Sequence, residues 1–200
     1  KITVSQDSKK QLSRMGKILF THVGVSGPTI LNMSKNIREL LDYGQVKLMI
    51  DLFPTLTEGE LDKNLTKIFQ TSNKQFKNSL TPLLPSNLAN TIASLSSIPL
   101  ETESNSITRD NRKRLVKLLK TLPLSVKGLL STDKAIITSG GVALTEINFK
   151  TMQSRLFDNL YIVGDLLNID RPSGGYSLQL CWTTGFVAGD SVEVNSGNKK

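Results

Sequence analysis

The sequence predicts a multidomain α+β chain, and three observations carry that reading. Short strand candidates fill the first 53 residues and return at 125–138. A helix-rich stretch, 54–124, separates them. Near the carboxyl end a strand, a glycine loop and a helix follow one another in the order of an α/β ligand site.

Ile2-Thr-Val4 and Lys17-Ile-Leu-Phe20 read as strands, with the polar stretch 5–14 as the loop between them. A chain that opens in a strand reads as a piece of something longer. Gly24 and Gly27 break the second strand, Ser26 can cap a helix, and Pro28 suits its first turn. Ile30, Met33, Ile37 and Leu40/Leu41 then recur at helical spacing. His22 is the only histidine; acid–base work by it is open, and a structural loop or core role is favoured. Val46, Leu48, Ile50 and Leu52 alternate on one face of a strand that Pro54 ends.

Four helices follow. Thr57 to Glu60 is a capping box, with Leu61, Leu65, Ile68 and Phe69 as the stripe behind it. Phe76, Leu80, Leu83 and Leu84 form a second stripe that Pro85 closes. Ser86 can cap a third helix with Leu88, Ile92 and Leu95 inward. Residues 109–122 make the fourth, with Leu115, Leu118, Leu119 and Leu122 inward. That helix carries Arg109, Arg112, Lys113, Arg114, Lys117 and Lys120, the best nucleic-acid candidate in the chain. No aromatics interleave with the cations, and cations toward a helix C-terminus suit its dipole, so a solvated face is favoured. Strands return at 125–128 and 134–138, and a Gly140-Gly141 pair follows.

The segment 160–165 reads as a buried strand stopping at Gly164-Asp165. Arg171, Pro172, Ser173, Gly174, Gly175 and Tyr176 form the loop, and a helix runs from Ser177 to about Gly189. A helix N-terminus offers unpaired N–H groups, and paired glycines let a ligand approach the backbone. Asp165 at a strand end can accept hydrogen bonds from sugar-type hydroxyls. A plain tight turn explains each feature alone; their combination favours a nucleotide-type ligand. Gly185, Ala188 and Gly189 fall together and suit close packing on a sheet, and 194–200 reads as a frayed tail. No Gly-x-Gly-x-x-Gly follows an N-terminal strand.

Composition narrows the class. Two hundred residues with 38% hydrophobic content suffice for a packed core. No apolar run reaches the ~20 residues of a membrane span, and Lys1 opens no secretory leader. One cysteine, Cys181, excludes an internal disulfide, and one histidine argues against zinc. A reducing cytoplasm is the expected compartment. The net charge of +8 suits an anionic partner or a lysine-rich solvated surface; the abundant Lys, Asn and Ser favour the surface, and nucleic acid is not the expected partner.

The segment GKILFTHVGVSGP (16–28) resembles the LFTHxGxSGP block of the BaiN/RdsA-like bacterial flavoproteins. The tail is similar to that family's C-terminal block: 137–142, 146–148, Thr151-Met152, 160–165, Asp170, 174–176, Gln179 and Thr184-Gly185. The resemblance runs over essentially the whole chain in order. It implies a Rossmann-type FAD domain interrupted by a partial β-barrel and a helical bundle, with its N-terminal dinucleotide half outside this chain. On that pattern 1–53 and 125–138 are barrel strands, 54–124 the bundle, and 139–200 the returning FAD domain. The implied FAD-binding set is Gly140, Gly141, Val142, Gly164, Asp165, Gly174, Gly175, Tyr176, Ser177 and Leu178. Asp165 would bond FAD hydroxyls, Gly140 and Gly141 would admit the isoalloxazine, and the loop and helix start would lie along the flavin. Two departures stand out: Asp165 replaces the family's commoner Glu, and Arg171-Pro172 differs before the glycines, so that this loop is a candidate for facing substrate.

The implied activity is an FAD-dependent oxidoreductase acting on a small molecule, with NAD(P)H as a candidate reductant. Characterised relatives of the resemblance include a bile-acid enone reductase and an aminoacetone oxidase. Catalytic residues and substrate are not indicated, no metal is implied, and the present residues alone are expected to hold FAD poorly. The alternative is a basic nucleic-acid-binding or scaffold module using the 109–120 helix.

Overall fold

The computed structural model describes residues 1–71, 74–135 and 139–197, with backbone alone for 132 and 193–197. β1 (Ile2–Gln6), β2 (Lys9–Arg14), β3 (Leu19–Thr21) and β4 (Gly24–Ser26) lead into α1 (Pro28–Leu31) and α2 (Ser34–Leu41). β5 (Val46–Ile50) precedes α3 (Glu58–Gln70), α4 (Phe76–Ser79), α5 (Ser86–Leu95) and α6 (Arg109–Lys120). β6 (Leu122–Val126), β7 (Ile147–Asn148), β8 (Gln153–Ser154) and α7 (Tyr176–Gly197) complete the order. Contacts divide the chain into two compact units. One is Lys1–Met15 with Leu40–Gly128, and the other is Gly16–Glu39 with Leu129–Lys200.

The first unit is built on an antiparallel sheet of order β2-β1-β5-β6. Its inner face follows period-two alternation: Ile2, Val4, Val46, Leu48 and Ile50 are each no more than 2% exposed. The stretch 5–14, expected as a loop, is instead mostly strand. β2 pairs with β1 across a two-residue turn, Asp7-Ser8, both at positive φ (49° and 63°). Its sequence, KKQLSR, is nearly all polar because β2 is an exposed edge, so no hydrophobic signal marks it. β6 is the opposite edge, where Pro123 removes one backbone donor. β5 stops at Ile50, before Leu52, as Asp51 turns the chain by accepting from the Phe53 N–H at 3.0 Å.

The helices follow the expected stripes in part: α4 ends at Ser79, so Leu80, Leu83 and Leu84 fall outside it, and Leu122 opens β6. The capping box forms: Glu60 N donates to Thr57 Oγ1 at 3.2 Å and Thr57 N donates to Glu60 Oε2 at 2.8 Å. The Thr57 backbone N–H, and after it the Thr57 hydroxyl, hold the Glu60 carboxyl below its ordinary pKa. Leu61, Leu65 and Phe69 are buried on α3, and Phe69 meets Phe76 edge to face at 6.2 Å. On α5 the buried face is Ala89, Ile92 and Ala93, while Leu95 is 55% exposed. Ser86 is the first helical residue and Pro85 the N-cap, so the expected Ser86 cap is not made. Leu115, Val116 and Leu119 bury α6. Arg112 grips Asp62 of α3 through Nε at 2.6 Å and Nη2 at 3.3 Å. Lys120 pairs with Asp51 at 2.7 Å and donates to the Phe53 and Leu56 carbonyls.

In the second unit β3 and β4 form a hairpin whose turn exposes His22 and Val23. Gly24 thus opens a strand and does not merely break one. Gly27, not Ser26, is the N-cap of α1, with Pro28 at the helix start. The single helix expected over 28–41 is two, α1 and α2, with Met33 and Ile37 buried. A small core gathers Ile147, Met152, Ile162, Leu167 and Ala188, with Val142, Tyr161, Val163, Ile169 and Val187 packed on it. Of the strand expected at 134–138, Lys134 ends a 3₁₀ turn (Thr132–Lys134), and 136–138 lie outside the described residues. α7 continues to Gly197, through most of the expected frayed tail; 198–200 lie outside the described residues.

Removing a side chain from each face tests this assignment. Leu119→Ala is expected to cost about 2–5 kcal/mol of unfolding free energy, as cavity-forming changes do. Leu95→Ala, at an exposed position, is expected to stay within ~0.5 kcal/mol. Urea denaturation of both variants measures the difference.

Candidate functional site

The site grows from one backbone seat in the second unit. Residues 160–163 are not a strand of a parallel sheet. They pair antiparallel with β8: Ser154 N donates to Leu160 O at 2.8 Å and Ile162 N to Met152 O at 3.0 Å. Strand geometry needs ladder partners, and here the partner is the short β7–β8 hairpin. The chain then turns at Gly164, φ 61°, into a 3₁₀ turn, Gly164–Leu166. Gly164 N donates to Thr184 Oγ1 at 2.9 Å, and Thr184 Oγ1 donates to Leu180 O at 2.6 Å. A Cβ on Gly164 would stand 2.8 Å from Cys181 Sγ. The Gly164-Asp165 turn therefore lies directly on the first half of α7.

That seat places Asp165 beside the glycine loop. Arg171 Nη2 pairs with Asp165 Oδ1 at 2.6 Å, Arg171 Nε donates to Ser177 Oγ at 3.0 Å, and Arg171 Nη1 donates to Ile169 O at 2.6 Å. The Arg171 side chain is 10% exposed against 55% for Asp165, so the guanidinium is the buried clasp and the carboxylate the open end. Gly174 and Gly175 sit at φ 112° and 92°, with no atom within 4 Å of where a Cβ would stand. The backbone there is bare on its outer side. Ser173 Oγ is buried without a hydrogen-bond partner among the described residues. A shallow groove of about 280 Å³ runs along Arg171, Pro172, Tyr176, Gln179, Leu180 and Thr183.

The Gly140-Gly141 pair meets the same region from behind. Val142 N donates to Leu166 O at 2.8 Å and Asn168 N to Val142 O at 3.1 Å, a parallel bridge. A Cβ on Gly141, at φ 136°, would fall 2.6 Å from Leu166 O. Gly141 is thus spent on backbone packing against 166–168, whereas Gly140 faces open space. Tyr176 and Leu178 are 58% exposed at the start of α7, and Ser177 is tied to Arg171. Gly164, Asp165 and 174–178 therefore share the head of α7; Gly141 and Val142 buttress the 166–168 segment.

Sequence reading missed the outer braces of the loop. Asn32 Oδ1 accepts from Ser173 N at 2.7 Å. Lys35 Nζ is paired with Asp170 Oδ2, and Ser139 Oγ donates to Asp170 Oδ1 at 2.8 Å. The hydrogen bond from Lys35, then that from Ser139, hold the Asp170 carboxyl below its ordinary pKa; the bond to Asp170 raises Lys35. The Asn32–Ser173 and Lys35–Asp170 contacts span 141 and 135 residues of sequence, and no local pattern announces them.

A dinucleotide with a flat ring fits what is present. The bare glycines, the orphaned Ser173 hydroxyl and the open end of Asp165 together offer close backbone approach, one unsatisfied polar atom and one acceptor. The expected approach of Gly185 and Gly189 to a sheet is not made among the described residues. Nothing lies within 4 Å of their Cβ positions, and Ala188 alone of the three is buried.

Comparison with known proteins adds the family. Residues 1–137 match the family model described as "HI0933-like protein barrel and H2TH domain". The chain is 28% identical over 179 residues to a 3-dehydro-bile acid delta(4,6)-reductase of Clostridium scindens, covering 87% of this chain and 43% of that protein. It is 30% identical over 179 residues to a ribosomal RNA dihydrouridine synthase of Haemophilus influenzae, covering 88% and 42%. A protein of that name from Escherichia coli is 27% identical over 177 residues, covering 88% and 42%. The chain thus spans less than half the length of these relatives.

Two outcomes test the local account. Gly141→Ala is expected to lower the melting temperature more than Gly140→Ala, because only the former meets backbone at 2.6 Å. The Asp170 brace is expected to follow linkage. Its carboxyl pKa is depressed, so the brace contributes above the ordinary carboxylate range and is lost as pH falls through the lowered value. The Lys35 pKa is raised, so the lysine's contribution is complete below its ordinary value and is lost as pH rises through the raised one. In Lys35→Met, a carboxyl NMR titration is expected to find Asp170 moved upward.

Proposed function

The chain belongs to the HI0933-like family, the BaiN/RdsA-like flavoproteins, and we propose that it is the central and C-terminal part of an FAD-dependent oxidoreductase. On this reading 139–200 is the closing portion of a Rossmann-type FAD domain. The observation that carries it is the convergence of the Gly164-Asp165 turn, the Arg171 clasp and the Gly174-Gly175 loop at the head of one helix. Bound FAD would supply hydride transfer. The chain's own residues would bind and orient. The open end of Asp165 would accept from sugar-type hydroxyls, the Ser173 hydroxyl would gain a partner, and Gly174 and Gly175 would admit the ring edge. Arg171 would hold Asp165 and Ser177 in register through its three hydrogen bonds.

The exposed face of α7 supports the same reading. Leu178, Trp182 and Phe186, at 58%, 67% and 75% exposure, recur every four residues, with Gly185 and Gly189 on the same side of the helix. An apolar, glycine-relieved helix face suits burial on a sheet of a longer polypeptide. The relatives' names describe reduction of a bile acid in one and formation of dihydrouridine in ribosomal RNA in the others. Of those two substrate classes, the chain's strong positive charge favours the polyanion.

The test is a polypeptide of the relatives' full length carrying these residues. It is expected to purify yellow and to release FAD on denaturation, with Gly175→Val lowering the flavin content. A colourless protein that takes up no added FAD would overturn the proposal.

A further inference from the structure

The positive charge of this chain sits almost wholly in one unit. Lys1–Met15 with Leu40–Gly128 holds 16 Lys and Arg against 9 Asp and Glu, a net of +7 of the chain's +8. Within that unit α6 is the densest source, and the structure sorts its six cations into two groups. Arg112 and Lys120 are internal struts, spent on Asp62 and on Asp51 with two carbonyls. Arg109, Lys113, Arg114 and Lys117 are exposed, and among the described residues none is ion-paired. Asp110 is the only other exposed residue of the helix.

Helix physics favours this arrangement only in part. Arg109 is the first helical residue after the Thr108 N-cap, where the positive end of the dipole repels a cation, whereas Lys117 in the last turn is favoured. Arg109–Lys113 and Lys113–Lys117 are both like-charge pairs four apart, which weaken a helix. A merely solvated face would gain from acidic residues at these positions. Asp110, three and four residues before Lys113 and Arg114, offsets only part of this charge, and an external polyanion would neutralise the rest.

We infer that the outer face of α6 is a docking surface for the phosphate backbone of RNA. The arc carries no aromatic or apolar side chain, so it contacts phosphates without stacking bases or entering a bilayer. The choice of RNA over another polyanion rests on the reductase reading; the surface itself rests on charge and geometry alone.

A fluorescein-labelled RNA stem-loop, titrated with the full 200-residue chain by anisotropy, tests it. Four phosphate contacts predict affinity falling on the order of 50- to 150-fold between ~50 and ~200 mM salt. Lys113→Glu with Lys117→Glu is expected to weaken binding by about tenfold or more and to lower the salt slope by about two. Lys9→Glu with Lys10→Glu, an equal charge change on the exposed strand β2, is expected to leave both nearly unchanged. Equal loss in the two double variants, salt-insensitive binding, no binding at low salt, or binding to phosphatidylserine vesicles in place of RNA would each overturn the inference. Circular dichroism of both variants controls for folding. No arm involves flavin, so failure here is separate from failure of the oxidoreductase reading.

Discussion

Gly164 rests on α7 with no room for a side chain, and the second unit is arranged around that contact. The amide of Gly164 is satisfied by Thr184 and its α-carbon faces Cys181. A residue with a Cβ would have to push the turn off the helix. With the turn seated, Asp165 falls within reach of Arg171, and Arg171 in turn holds Ser177 at the helix start. The 166–168 segment that leaves the turn bonds to Val142, which brings the 140–142 glycines in behind it. One backbone-to-helix contact thus fixes the relative placement of segments that lie far apart in sequence. On the proposed reading, the bare faces of Gly174 and Gly175 serve a ligand because their neighbours are held firmly.

Legibility in the sequence followed the range of the interaction. The Thr57–Glu60 capping box, the alternating β5 and the Leu61–Leu65–Phe69 stripe are local patterns, and all three are present. β2 was hidden because both its faces are polar; its turn residues, Asp7 and Ser8, were the available signal. The break between α1 and α2 interrupts a continuous apolar period, so periodicity alone joins them. The 160–163 segment has strand composition, yet composition does not say which ladder it joins. In the candidate site the glycines and Asp165 were legible as types. The braces from Asn32 and Lys35 were not, because each depends on residues distant in the chain; the Arg171 clasp joins residues only six apart, but residue type alone does not say which partners a loop arginine takes.

The paired charges also show how the same residue type serves two ends. Arg112 and Lys120 satisfy carboxylates and carbonyls at the joints between α6, α3 and the turn after β5. Their burial of stem and head stiffens the first unit, since a partly desolvated, hydrogen-bonded cation is worth more than an exposed one. Position on the helix, not residue identity, separates them from the outward-facing cations.

Both units carry a helix that conflicts with its surroundings as they stand. α6 sets like charges four residues apart on its outer face, and α7 turns Leu178, Trp182 and Phe186 outward. A sequence that is otherwise locally consistent concentrates such conflicts where something outside the fold resolves them. The two conflicts call for different resolutions: phosphate for one, apolar surface for the other. Their separation also follows from the sequence. α6 carries its leucines inward and leaves only polar groups outside. α7 carries hydrophobic residues on both faces, so that its inner face completes the small core at Ala188 and its outer face remains apolar. A helix hydrophobic all round belongs in an interior, and α7 is half covered by the residues described.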